Sequence, residues 1–78
     1  MSFQQFFVLG ENVTILNRAC TEHLQKTHFH NQKLIDAKHH LFEIRWEIED
    51  HCEDYDKLYF NFCKAHDLYI DVIGNPVL

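Results

Sequence analysis

Two short motifs in this sequence each combine a cysteine with a histidine three residues later, at positions 20–23 and 63–66. A spacing of i, i+3 places both side chains on one face of a helix. Thiolate and imidazole are the donors that zinc prefers, so two packed helices would form a Cys2His2 site from Cys20, His23, Cys63 and His66. The alternative is that both cysteines pack as small apolar residues, because they lie on or beside apolar stripes.

An acidic segment at residues 43–56 is the second feature that could carry a function. Only Arg45 opposes its seven carboxylates, which belong to Glu43, Glu47, Glu49, Asp50, Glu53, Asp54 and Asp56. The whole chain has a formal charge of −5, so the remaining residues are close to neutral. On one continuous helix, four of these carboxylates would share a face: Glu43, Glu47, Asp50 and Asp54.

An acidic face beside aromatic residues is typical of a surface that attracts a basic protein. Aromatic side chains supply much of the binding energy at interfaces. The sequence therefore predicts a small regulator or inhibitor that binds a basic partner, such as a nucleic-acid-binding protein, through Glu43, Trp46, Glu47, Asp50, Glu53, Asp54, Tyr55 and Tyr59. The alternatives are a solvated helix face, a zinc-stabilised helical module, and a structural subunit of a larger assembly.

Several other functions are disfavoured by composition. The chain has no basic patch that would neutralise nucleic-acid phosphates and no apolar run of the length of a membrane span. Its two glycines do not make a phosphate-binding loop, and 78 residues rarely enclose an active site. We therefore expect a protein that is not an enzyme. The odd number of cysteines, three, predicts reduced thiols and a cytoplasmic location.

Long helices are predicted because glycine and proline are absent between Gly10 and Gly74. Apolar residues follow one another at steps of three or four, which is the spacing of a helix packed along one face. This stripe contains Leu34, Ala37, Leu41, Ile44, Ile48, Cys52, Tyr55, Leu58, Phe62, Ala65, Tyr69 and Val72, and on its flanks Ile35, Phe42, Trp46, Tyr59 and Cys63. A shorter stripe predicts an earlier helix: Val13, Leu16, Cys20, Leu24 and Thr27.

Local signals predict where the helices begin and end. Ser2 with Gln5 forms a capping box, Gly10 would close a short first helix, and Asn12 would cap the next. Residues 28–31 predict a turn, and Gly74 predicts the last helix end.

The predicted fold is a single all-α domain, residues 1–78, with two or three main helices. A helix that runs unbroken from about residue 32 to 72 would form a long hairpin and require a homodimer. A break at 50–56 would instead give a compact three-helix bundle. An α+β fold, with strands at 69–73 and 6–9, is the further alternative.

Overall fold

Three α-helices follow one another along the chain in the computed structural model, which describes residues 3–50 and 54–76. They are α1 (Phe3–Lys26), α2 (Gln32–Glu49) and α3 (Tyr55–Ile73). The all-α prediction is confirmed. The described residues contain no strand, and both segments of the α+β alternative lie inside helices, so that alternative is wrong.

Helix α1 runs without a break through the position where the sequence predicted a boundary. Neither Gly10 nor Asn12 ends or begins a helix, so those two predictions are wrong. A glycine inside a helix costs about 1 kcal/mol relative to alanine. Here it lies between Leu9 and Val13, which are 2% and 0% exposed, and burial of such side chains outweighs that cost. The predicted cap at Ser2 lies outside the described residues.

The predicted turn between α1 and α2 is confirmed. His28 and Phe29 adopt left-handed backbone conformations, with φ of 56° and 60°. The Phe29 N–H donates to the Leu24 carbonyl at 2.8 Å, which satisfies one carbonyl at the end of α1. Asn31 then caps α2, since its side-chain oxygen accepts from the Leu34 N–H at 3.3 Å.

The long stripe is divided into two helices, α2 and α3, as the three-helix bundle requires. Helix α2 ends at Glu49, and Asp54 caps α3 by accepting from the Lys57 N–H at 3.1 Å. Aspartate favours such ends because its short side chain competes for backbone hydrogen bonds. Gly74, at φ +88°, closes α3 and donates its N–H to the Ile70 carbonyl at 2.7 Å. The long-hairpin alternative is therefore wrong.

The core lies between the three helices and follows the predicted stripes. Its buried members are Leu9, Val13, Leu16, Cys20, Leu24, Leu34, Ala37, Leu41, Ile44, Leu58, Phe62, Ala65 and Tyr69. Thr27 is exposed, so the first stripe ends at Leu24. Helices α2 and α3 pack together more closely than α1 packs on either. Within the described ranges, no helix combines the length and the apolar character needed to cross a bilayer.

Candidate docking surface

Phe42 and Trp46 lie on the outer face of α2, away from the core. Their side chains are 68% and 65% exposed, and the rings stack with centroids 6.5 Å apart and planes inclined by 26°. The sequence predicted both on the flank of the core stripe, and that prediction is wrong. The reason is that α3 packs beside His40, while α1 lies across an open cleft that Phe42 itself borders. No helix in the described part of the chain therefore covers either ring.

Carboxylates surround this ring pair. Glu43, Glu49 and Asp50 are all exposed, and a shallow depression of about 200 Å³ is lined by Trp46, Glu49 and Asp50. We call the set Phe42, Glu43, Trp46, Glu49 and Asp50 the acidic–aromatic surface.

The end of α2 adds to the negative potential of this surface. Unpaired carbonyls give a helix C-terminus the equivalent of about half a negative charge, and carboxylates placed there are unfavourable by about 0.3–1 kcal/mol each. The last turn of α2 holds no basic residue, while Glu49 and Asp50 lie at its end. The arrangement is thus electrostatically unfavourable for the isolated helix and favourable for a bound cation.

The predicted acidic face over residues 43–56 is not one face, because α2 ends at Glu49. Asp54 instead lies at the beginning of α3, where its carboxylate acts as the N-cap. One carboxylate oxygen of Glu47 lies 3.6 Å from the Lys57 ammonium nitrogen of α3. The other oxygen is buried and has no hydrogen-bond partner in the described part of the chain. Glu53 lies outside the described residues.

The predicted aromatic anchors are separated by the fold. Tyr55 contacts the Phe6 ring of α1 edge-on at 5.7 Å and stacks on Tyr59 at 5.9 Å. Tyr59, which is 49% exposed, continues this row to Phe62 at 6.4 Å. Tyr55 and Tyr59 therefore belong to a row of rings along α3 that reaches α1, whereas Trp46 stacks on α2.

The two Cys–His motifs lie on α1 and α3. Cys20 is fully buried in the core, and burial raises the pKa of its thiol to about 11, although Lys38 partly opposes this shift. Zinc binds the thiolate, so burial works against a metal at this position.

The two histidines of the motifs meet at one core residue. The rings of His23 and His66 both contact Tyr69, with centroids 6.0 and 6.4 Å away. Burial is the main cause that raises the pKa of the Tyr69 phenol, and electrostatic interactions with Cys20 and Glu22 raise it further. Over residues 3–50 and 54–76, the structure brings no three His, Cys, Asp or Glu side chains into a metal-binding group. The zinc site stays a prediction.

Comparison with protein-family models, curated proteins and solved structures gave no match.

A cleft between α1 and α2 was missed by the sequence analysis. Its volume is about 540 Å³, and its lining includes Asn17 from α1 and Lys38, Leu41, Phe42 and Arg45 from α2. The spacing of Lys38, Leu41 and Arg45 at i, i+3 and i+7 places them on one helix face. That spacing was visible in the sequence, but the facing residue on α1 was not.

Proposed function

We propose that this protein is a small protein–protein interaction module, a regulator or inhibitor, that docks the acidic–aromatic surface onto a basic protein such as a nucleic-acid-binding protein. The observation that carries the proposal is the stacked pair Phe42 and Trp46, about two thirds exposed and bordered by carboxylates. Tryptophan and arginine are enriched among the residues that dominate binding energy. A lysine or arginine of the partner is the chemistry that this surface fits.

Each component of the acidic–aromatic surface has a separate part in such binding. The indole face of Trp46 attracts a cation, an interaction of about 0.5–2 kcal/mol depending on desolvation. Glu49 and Asp50 border the same depression and would accept charge-assisted hydrogen bonds from that cation. The concentrated negative charge also raises the association rate and makes it sensitive to salt.

The proposal can be tested with a fluorescently labelled, arginine-rich amphipathic peptide and anisotropy titration. We expect saturable binding that weakens as salt is added, because exposed charges are screened. Trp46→Ala, and separately the double variant Glu49→Gln/Asp50→Asn, should each weaken binding by about tenfold or more, equivalent to about 1.4 kcal/mol.

Matched controls come from α1 and α3. Phe60 is 63% exposed and lies on α3, so Phe60→Ala removes an exposed ring elsewhere. Glu22→Gln/Asp67→Asn removes two exposed carboxylates outside the acidic–aromatic surface. Both variants should leave the affinity within about twofold, which is under 0.5 kcal/mol. Equal losses in the control variants, or affinity that is independent of salt, would contradict the proposal.

Self-association and a structural role in a larger assembly stay predictions. A homodimer was predicted both because small domains often gain stability by oligomerising and because a helix unbroken from about residue 32 to 72 would need one. The second reason does not hold, since α2 and α3 are separate helices. The core of the described residues is enclosed by the three helices of one chain, so it adds no argument for a dimer.

A further inference from the structure

The α1 side of the cleft is lined by Asn17, which shares a helix face with three other short residues. Gly10, Thr14, Asn17 and Thr21 recur at i, i+4, i+7 and i+11, which is one helix face. Thr14 and Thr21 turn their hydroxyls back to donate to the carbonyls of Gly10 and Asn17, at 3.0 and 2.9 Å. Because these residues are short, their side chains project little from α1 along this face.

The α2 side of the cleft carries two cations that have no carboxylate partner among the described residues. The described ion pairs are Lys33–Asp71 and Lys57–Glu47, and neither includes Lys38 or Arg45. Lys38 donates a hydrogen bond to the Thr21 hydroxyl, which leaves its charge uncompensated. The Arg45 guanidinium has no acceptor among the described residues.

One carboxylate also lines the cleft, that of Glu43. It accepts a hydrogen bond from the Asn61 amide of α3 at 3.4 Å, so it is held toward the opposite side of α2. The lining also includes His39, and with that histidine neutral, Lys38, Arg45 and Glu43 give a net formal charge of +1.

From this geometry we infer that the cleft between α1 and α2 is a binding site for a small organic carboxylate with an apolar body. The volume of about 540 Å³ lies within the range of roughly 300–1,000 Å³ that is usual for ligand pockets. Lys38 and Arg45 supply charge-assisted donors for the carboxylate. Leu41 and the Phe42 ring supply the apolar wall along which the rest of the ligand lies.

The spacing of the two cations along α2 limits where the ligand's anion can be held. Seven residues separate them, which is about 10 Å along the helix axis at 1.5 Å per residue. A ligand with its anion at one end can therefore be held by either cation while its body extends toward the other. The site is distinct from the acidic–aromatic surface in charge, although the two share Phe42 and Glu43.

The test uses three matched probes: phenylbutyrate, which is anionic, phenylbutyramide, which is neutral, and phenylbutylamine, which is cationic. Each is titrated into the full chain and followed by NMR shifts of backbone amides. We expect saturable shifts for phenylbutyrate at residues of α1 and α2 around the cleft, with about tenfold weaker binding of the amide. Equal or tighter binding of the amine, or no saturable binding of phenylbutyrate, would overturn the inference.

Variants locate the binding. Lys38→Gln/Arg45→Gln should weaken phenylbutyrate binding by about tenfold, and Asn17→Phe should block it by filling the cleft. The control variant Lys26→Gln/Lys64→Gln removes two exposed cations elsewhere and should leave affinity unchanged. Equal weakening by the control would overturn the inference, because it would show a general charge effect. Glu49→Gln/Asp50→Asn should not weaken phenylbutyrate binding, because it removes only negative charge, whereas it should weaken binding of the cationic peptide; this separates the two sites.

Discussion

The flank of α2 that packs on α3 can be compared with the flank that faces α1. On the α3 side, His40 Nδ1 lies 2.7 Å from the Asn61 side-chain oxygen, and the Asn61 amide donates to the His40 carbonyl and to Glu43, both at 3.4 Å. On the α1 side, Arg45 has no partner among the described residues, and Lys38 has only the Thr21 hydroxyl.

This difference separates polar groups that hold the fold together from polar groups that are available to a ligand. A matched network fixes the position of two helices, since each member loses a partner if the helices move. Unmatched charges in a cleft do not contribute in that way, and they gain most from a ligand of opposite charge. The same helix therefore has a structural flank, a cleft flank and, between them, an exposed face with Phe42 and Trp46.

The largest expected effect is the loss of a core side chain. Leu58 of α3 is 0% exposed, so Leu58→Ala should lower the free energy of unfolding by about 2–5 kcal/mol. Phe42→Ala removes a larger but mostly exposed side chain and should change it by less than about 0.5 kcal/mol. Urea unfolding followed by circular dichroism measures both. A loss of several kcal/mol for Phe42→Ala would show that its ring is buried.

A smaller effect is expected from the polar network of the structural flank. Asn61→Ala removes the partner of His40 and Glu43 and should lower the free energy of unfolding by about 1–2 kcal/mol. Arg45→Gln on the cleft flank should change it by less than about 0.5 kcal/mol. Unfolding of the two variants at the same urea concentration would contradict the distinction between the flanks, because the polar groups of both would then contribute equally to stability.

The smallest effect concerns Asp54, which the sequence assigned to partner binding and the structure places as the cap of α3. Asp54→Ala should lower the free energy of unfolding by about 1 kcal/mol, whereas Asp54→Asn keeps a capping oxygen and should cost only a few tenths. Thermal unfolding of both variants measures this. A large loss of peptide affinity in Asp54→Asn, with stability retained, would restore this carboxylate to the docking surface.

Much of the fold was predictable because it depends on the chain's local chemistry. Apolar steps of three and four residues predicted the buried faces of α2 and α3 correctly, and Gly74 predicted the end of α3. The helix end predicted at Gly10 was wrong because the local preference of glycine is outweighed by the burial of Leu9 and Val13 on either side. A propensity of about 1 kcal/mol is a weak guide against such packing.

The candidate surfaces were less predictable because they depend on which helix covers which flank. Trp46 was predicted as a partner-binding residue, which stays a prediction, whereas Phe42, its stacking partner, was predicted only on the flank of the core stripe. Helical spacing shows which residues share a face, but does not show where the apolar arc stops being covered. Asp54 was misplaced for a related reason, since its role changes completely when α2 ends at Glu49. The place of Arg45 in a cleft lined also by Asn17 of α1 was evident only from the structure.

The closer packing of α2 on α3 than of α1 on either also has a consequence for the order of folding. The loops on either side of α2 are equally short, since α1 ends at Lys26, α2 spans Gln32–Glu49 and α3 begins at Tyr55. Loop closure therefore does not distinguish the two helix pairs, and the closer packing of α2 on α3 does. We expect this helical hairpin to form the folding nucleus and α1 to dock onto it last. In native-state hydrogen exchange, α1 would then open at a lower free energy than the hairpin does, and the cleft would be the first internal surface to come apart.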